Sequence, residues 1–354
     1  MLRNITYNFQ KGLLNSISGR TINSIKLSQF KNSYSTLISQ LKQEIINGQK
    51  ISKNKALQLV DSDLEDLCTA ANEIRKYFCG DEFEICTIIN AKSGKCTEDC
   101  KYCAQSAHYK VKVNKYPLVN TETMLAAAKK DDAAGVQRFS PVTSGKRLRK
   151  SEVESLCKSM REIKKNTNLK ICASCGLLKS NDFKKMKEAG LSRYHNNMES
   201  SRNFFKTVCT THSTDDKINT IKLAKEQGLE ICSGGIMGLG ESWNDRIDMA
   251  FLVNELGAVS IPINMLSPIP GTPYEKNRVL SIEEMRRICA IYRFINPKAF
   301  IRLAGGRGLL KDKGRSCFLS GANAVISGDM LTTSGITIKR DLQMIKELGF
   351  HVTK

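Results

Sequence analysis

The sequence predicts an α/β fold of the (β/α)8 TIM type, preceded by a short helical extension. Three observations lead there. Eight short β-rich runs alternate with amphipathic helical stretches from about residue 85 to the carboxyl end, the rhythm of a parallel sheet closed by crossover helices. Helix starts punctuate the gaps between runs, with Ser151 and Glu154, and again Ser281 and Glu284, spaced as capping boxes. A three-cysteine motif directly follows the first run, where barrels of this kind carry their working residues, at the carboxyl ends of the strands.

The runs fall at 85–90, 136–142, 169–174, 193–198, 230–236, 260–266, 300–304 and 324–327, with helices over 151–165 and 281–294 among those between them. A helical lead-in covers about 35–79. The chain divides into a basic leader over 1–35 and one barrel domain over 36–354.

Residues 1–43 hold no Asp or Glu, yet carry Arg3, Lys11, Arg20, Lys26, Lys31 and Lys42 among seven serines. That is the composition of an organelle transit peptide, which directs the chain to a mitochondrion or related organelle matrix; read as a plain basic tail, it leaves the chain in the cytoplasm. The body is basic too, within a whole chain of 55 Lys and Arg against 35 Asp and Glu. Its lysines are dispersed, with no arginine-rich stripe or interleaved aromatics, so a nucleic-acid partner is not expected. No apolar run approaches membrane-spanning length, so no membrane partner is expected either. Thirteen cysteines, an odd number without a hydrophobic signal stretch, suit a reducing compartment.

The chemistry concentrates in Ser93-Gly-Lys-Cys96-Thr-Glu-Asp-Cys100-Lys-Tyr-Cys103-Ala-Gln-Ser106. Three thiolates at x3 and x2 spacing hold three corners of a cubic iron–sulfur cluster and leave the fourth iron open to a small molecule. A Cys3His zinc site recruiting His108 is the competing reading, and with the basic charge it describes a zinc-containing nucleic-acid-binding module. Strand parity adds Cys172 in the third strand, Cys232 in the fifth and Arg302 in the seventh as lumen candidates for a second cluster.

The cysteine loop resembles that of the radical S-adenosylmethionine enzymes, in the form found in the biotin synthase family. The similarity continues through Val136-Gln-Arg-Phe-Ser140, Tyr194-His-Asn-Asn-Met-Glu199, Cys232-Ser-Gly-Gly-Ile-Met-Gly-Leu-Gly-Glu241, Pro262-Ile-Asn-Met-Leu266, Ile301-Arg-Leu-Ala-Gly-Gly-Arg307 and Gly321-Ala-Asn-Ala. It spans roughly Leu37 to the carboxyl end. Enzymes of similar layout, of the hydrogenase-maturation or methylornithine-synthase type, are the alternative within the superfamily.

The resemblance implies a [4Fe–4S] cluster on Cys96, Cys100 and Cys103, with S-adenosylmethionine chelating the open iron and yielding a 5′-deoxyadenosyl radical. It implies dethiobiotin as substrate, and an auxiliary cluster, [2Fe–2S] or another type, on Cys172, Cys232 and Arg302 as sulfur donor. No side-chain acid or base carries the reaction. Tyr102, Asn197, Glu199, Gly234, Gly235 and Ile236 are implied as cofactor contacts, and Asn264 and His195 as substrate contacts. A flavodoxin or ferredoxin would donate electrons, iron–sulfur assembly machinery would supply clusters, and the enzyme would be a homodimer.

The chain departs from the family pattern at several positions. Ser140 stands where the pattern has an auxiliary-cluster cysteine, and a hydroxyl is a hard, poorly acidic ligand for iron. Cys175, three residues beyond Cys172, is the expected replacement. His195 stands where Asn is common, and Lys217 near a usual Arg. Cys68, Cys79, Cys86, Cys157, Cys209, Cys289 and Cys317 match no ligand motif and read as structural.

Overall fold

The computed structural model describes residues 35–352, so most of the basic leader lies outside the described residues. Apolar residues at helical spacing, Ile38, Leu41 and Ile45, bury one face of helix α1 (35–46). Helices α2 (Lys53–Gln58) and α3 (Leu64–Cys79) follow; Ser52 caps the first and Asp63 the second. These three form the extension, and α3 packs on α10 (Ile282–Ile295).

The barrel strands are buried on both faces because one face meets the lumen and the other the helices. They are β1 (Glu84–Lys92), β2 (Arg138–Thr143), β3 (Lys170–Ala173), β4 (Leu191–His195), β5 (Glu230–Cys232), β6 (Gly235–Met237), β7 (Ala258–Met265), β8 (Phe300–Leu303) and β9 (Ala324–Ser327). Every pairing is parallel, β1 pairs with both β2 and β9, and β5 and β6 both pair with β7. The fifth expected strand is therefore two short strands end to end, interrupted at Ser233 and Gly234, and the ring has eight positions. Between the strands lie α4 (Thr121–Ala133), α5 (Lys150–Asn166), α6 (Ser180–Glu188), α7 (Arg202–Val208), α8 (Thr214–Glu226) and α9 (Trp243–Glu255), then after β8 the short α11 (Arg315–Phe318) and, after β9, α12 (Ile338–Glu347).

Ser281 and Glu284 form the expected capping box, each side chain accepting from the other residue's backbone N–H. The box expected at Ser151 and Glu154 does not form. Helix α5 starts earlier, with Arg149 as N-cap, because Glu152 accepts the Arg149 backbone N–H at 2.8 Å and also binds Lys92 of β1.

The closed floor of the lumen is ionic. Glu84 of β1 accepts from Arg138 of β2 at 3.2 Å, from Arg193 of β4 at 2.7 Å, and from Arg302 of β8. All four side chains are at most 8% exposed. Glu230, half exposed, adds a 2.9 Å bond to Arg193. Burial alone would raise the Glu84 pKa, but the Arg302, Arg193 and Arg138 charges together overcome it and hold the carboxyl at about 2.

Glu84→Gln should therefore cost about 3–5 kcal/mol at pH 7, the range for breaking a buried ion network, read from urea unfolding. Because the folded-state pKa lies below the ordinary 4.5, the Glu84 contribution is complete above about pH 4.5 and is lost as pH falls towards 2. The acid limb of the stability curve should be shallower in the variant across that window.

Candidate active site

At the carboxyl ends of the strands the lumen opens into a cavity of about 410 Å³, walled by loop and strand residues together. Its rim is the cysteine loop. Lys95 takes a left-handed φ of 51°, turning the chain after β1 so that Cys96 N–H bonds the Gln105 carbonyl at 3.1 Å. Cys103 N–H bonds the Cys100 carbonyl, and Ser106 Oγ donates to Glu98 O at 2.6 Å. These bonds coil the loop so that Cys96, Cys100 and Cys103 all line the cavity.

A second segment clamps the loop from outside. Asp99 accepts the backbone N–H of Thr210 at 2.8 Å and of Thr211 at 3.2 Å. The hydrogen bonds of Thr210 and its neighbours outweigh burial and hold the Asp99 carboxyl well below the usual carboxylate range. This clamp brings Cys209 Sγ to 3.7 Å from Cys100 Sγ. Their hydrogen bond pushes the Cys100 thiol up and, with His212, holds Cys209 down at about 4. His108 is not part of this group; its Nε2 lies 3.0 Å from Thr97 O.

Beside the loop stand the residues expected to contact a nucleoside cofactor. Tyr102 joins Phe205, Leu239 and Leu266 in a small apolar cluster, and burial raises its hydroxyl pKa well above the usual value, with Glu199 adding to the effect. Asn197 Oδ1 accepts the Gly234 N–H at 3.0 Å, and Lys217 donates to Asn197 O at 3.0 Å. Glu199, at a left-handed φ of 68°, turns its carboxylate inward, and its Oε2 is buried with no protein partner. Gly234 and Gly235 have no room for a Cβ, which would run into the Pro262 carbonyl at one and Met249 and the Glu199 carbonyl at the other. Ile236 lines the cavity beside them.

Below this level Cys172, Cys232, Ser140 and Arg302 share the lumen. Cys175 does not. It lies just beyond the end of β3 and packs in the core, where its surroundings are Thr143, Cys157 of α5 and Glu152; the replacement expected of it is thus corrected. The thiol that does reach the lumen is Cys86 of β1, which sequence reading placed among the structural cysteines. Parity could have found it, since Cys86 is two residues from Glu84 and so points the same way.

Two expected contacts are partly spoken for. His195 Nδ1 lies 3.3 Å from Cys232 Sγ, so that nitrogen partners a thiol and only Nε2 is left for a substrate contact. Burial opposes charge on both, yet the pair stabilises thiolate and imidazolium, bringing Cys232 down to about 7 and raising His195. Asn264 donates to Gly235 O at 3.1 Å and accepts from Gly305 N–H at 2.9 Å, which leaves one N–H and one lone pair of its amide for a ligand.

The donors fit iron–sulfur clusters and an amino-acid-bearing cofactor. Loop thiols converge on one rim, the cavity-lining Glu199 keeps a buried carboxylate oxygen without a protein partner, and the lumen thiols sit over three buried guanidiniums matched by one buried carboxylate, a surplus that suits anionic groups. A closed parallel barrel with this loop after its first strand defines a radical S-adenosylmethionine enzyme, and residues 91–253 match the Radical SAM superfamily model. Residues 262–351 match the Biotin and Thiamin Synthesis associated domain. The chain is 58% identical over 315 residues to the biotin synthase of Brachyspira hyodysenteriae, covering 89% of this chain and 95% of that one. It is 54% identical over 317 residues to that of Akkermansia muciniphila, covering 90% and 99%. The chain belongs to the biotin synthase family. In fold it is also like a solved methylornithine synthase, with a TM-score of 0.77 at 20% identity over 89% of this chain and 97% of that one. The methylornithine-type and zinc-module alternatives are not favoured. No helix among the described residues is long and apolar enough to cross a membrane.

In the iron-free chain, alkylation of Cys232 should show a midpoint near pH 7. His195→Ala should move it up, since the largest charge opposing burial is lost while Arg302 and Arg193 still oppose it; an unmoved midpoint would remove His195 from the pair.

Proposed function

We propose that the chain inserts sulfur into dethiobiotin, with a [4Fe–4S] cluster on Cys96, Cys100 and Cys103 and an auxiliary iron–sulfur cluster on Cys86, Cys172 and Cys232. The observation that carries the auxiliary assignment is the presence of these three thiols on β1, β3 and β5 in one lumen, directly above the arginine floor. When bound, the first cluster and S-adenosylmethionine supply the radical that removes hydrogen from unactivated carbon, and the second supplies the sulfur.

The chain's own residues position and insulate. Arg302 donates through Nε to Ser260 Oγ at 3.1 Å, through Nη1 to Val325 O at 2.8 Å, and through Nη2 to Glu84. Each of its three nitrogens thus already donates to protein, and its role is to offset the negative charge of the thiolates rather than to ligate iron. Ser140 needs no ligand role if Cys86 supplies the third thiolate, which is also the softer donor. Glu199 Oε2 is placed to accept from a cofactor amino or hydroxyl group, and Asn197 holds the Gly234 backbone against it. Tyr102 and Leu266 give the nucleoside an apolar wall. The free N–H and lone pair of Asn264 match the C=O and N–H of a ureido ring. Enclosure by the barrel keeps water and stray hydrogen donors from the radical.

A small acidic one-electron carrier of the flavodoxin or ferredoxin kind suits the net charge of +20. The acid-free composition of residues 1–43 supports the organelle leader. A reporter fused to residues 1–40 should enter the mitochondrion or a related organelle; retention in the cytosol would reject that reading.

The central test is anaerobic iron and sulfide analysis with Mössbauer spectroscopy, alongside product assays. Cys96→Ala, Cys100→Ala and Cys103→Ala should each abolish 5′-deoxyadenosine formation. Cys86→Ala, Cys172→Ala and Cys232→Ala should lose auxiliary iron and biotin formation while cleavage of S-adenosylmethionine persists. Ser140→Ala and Cys175→Ala should keep both clusters. Loss of auxiliary iron in Ser140→Ala beside full retention in Cys86→Ala would overturn the assignment of the third thiolate.

A further inference from the structure

One group of metal-binding side chains joins an expected cluster ligand, Cys100, to two residues outside the expected ligand sets. Cys100, Cys209 and His212 place their donor atoms within 4.8 Å of one another, the one set of three such donors among the described residues. Cys209 Sγ is 3.7 Å from Cys100 Sγ and 3.3 Å from His212 Nδ1. A tetrahedral ion with metal–sulfur bonds of about 2.3 Å sets two sulfur ligands about 3.8 Å apart. The sulfur spacing therefore has the size of a site for one ion.

The arrangement is built rather than incidental. Cys209 is the C-cap of α7, His212 lies just before α8, and Cys100 comes from the loop after β1. Asp99 fixes the two segments together through Thr210 and Thr211. The His212 ring packs 5.5 Å from that of Phe205, and its Nδ1 meets Glu98 Oε2 at 2.6 Å. Cys209 is 3% exposed, while Cys100 and His212 line the cavity, so an ion can enter from its mouth.

We propose that Cys100, Cys209 and His212 form a binding site for a single zinc-class divalent ion, open whenever Cys100 is not held by the cluster. Both cysteines ligate as thiolates, so any thiol proton leaves to solvent on binding, and the ion takes the place of the proton shared by His212 and Glu98, which leaves to solvent with it. Three protein donors leave the fourth position to water. Ion and cluster then compete for Cys100, so zinc occupancy blocks cluster loading. That competition rests on the cluster reading above; the ion site itself does not.

The test uses the full-length chain, reduced and stripped of iron under anaerobic conditions, with Co²⁺ as the probe. About one Co²⁺ per chain should bind with the absorption of a tetrahedral thiolate site, and Zn²⁺ should displace it. Cys209→Ser and His212→Ala should each weaken binding about tenfold or more, while Cys172→Ala leaves it unchanged; far-UV circular dichroism confirms that each variant is folded, with His212→Gln in reserve should the alanine variant not fold. Co²⁺ binding unaffected by changes at both Cys209 and His212, or dependent on Cys96 and Cys103 instead, would overturn the site. In a second arm, one equivalent of Zn²⁺ added before reconstitution should lower cluster iron in the wild type and not in Cys209→Ser. Equal iron uptake with and without zinc would overturn the competition. Failure of all reconstitution, in a chain that still binds Co²⁺ as expected, would count against the cluster reading and not against the ion site.

Discussion

The structure depends on a carboxylate that cannot be spared. Glu84 holds guanidiniums from β2, β4 and β8 across the floor of the lumen, so one side chain of β1 ties together strands from opposite sides of the ring. A buried ion cluster of this kind is expensive to assemble because each charge leaves water, and it persists only when every charge has partners. Here the cations outnumber the buried carboxylate. The surplus favours negative charge directly above it, where Cys86, Cys172 and Cys232 line the cavity, and a neutral or acidic floor would oppose any thiolate there.

The mouth solves a different problem. A loop that offers three thiols to one cluster must hold a fixed shape without a helix or strand of its own. The loop does this through reciprocal backbone bonds and through the clamp from Asp99 to Thr210 and Thr211, which spends a carboxylate on a segment more than a hundred residues away. The same clamp delivers Cys209 and His212 to the edge of the site. A rigid loop and a neighbouring ion site are thus two results of one set of contacts.

Between floor and mouth, the interruption of the fifth strand at Ser233 and Gly234 lets the backbone after β4 cross close to β6. Asn196, Glu199 and Ile236 continue the pairing through that gap. Glycine is required because a Cβ at 234 or 235 would occupy space held by backbone carbonyls and Met249. The close approach turns Glu199 into the cavity and leaves its second oxygen without a protein partner.

Much of this was legible in the sequence. The eight runs, their alternation with helices and the three-cysteine loop follow from local periodicity and spacing, which are properties of neighbouring residues, and the resemblance of the loop and strand motifs placed the family. Parity correctly turned Cys172, Cys232 and Arg302 inward. The departures arose where distance along the chain carries no information. Cys175 was expected in the lumen because it lies near Cys172, but the chain has left β3 by then and turns the thiol into the core. Cys86 was passed over because its neighbours in the lumen lie on β3 and β5, and the pairing of His195 with Cys232 was missed because Cys232 is on another strand. Cys209 and His212 meet Cys100 only because α7 folds back over the loop. Sequence by itself determined the elements, the rim thiols and the family; tertiary closure of the ring decided which thiols share a lumen and which guanidinium is already committed, because those contacts join strands that are remote in the chain.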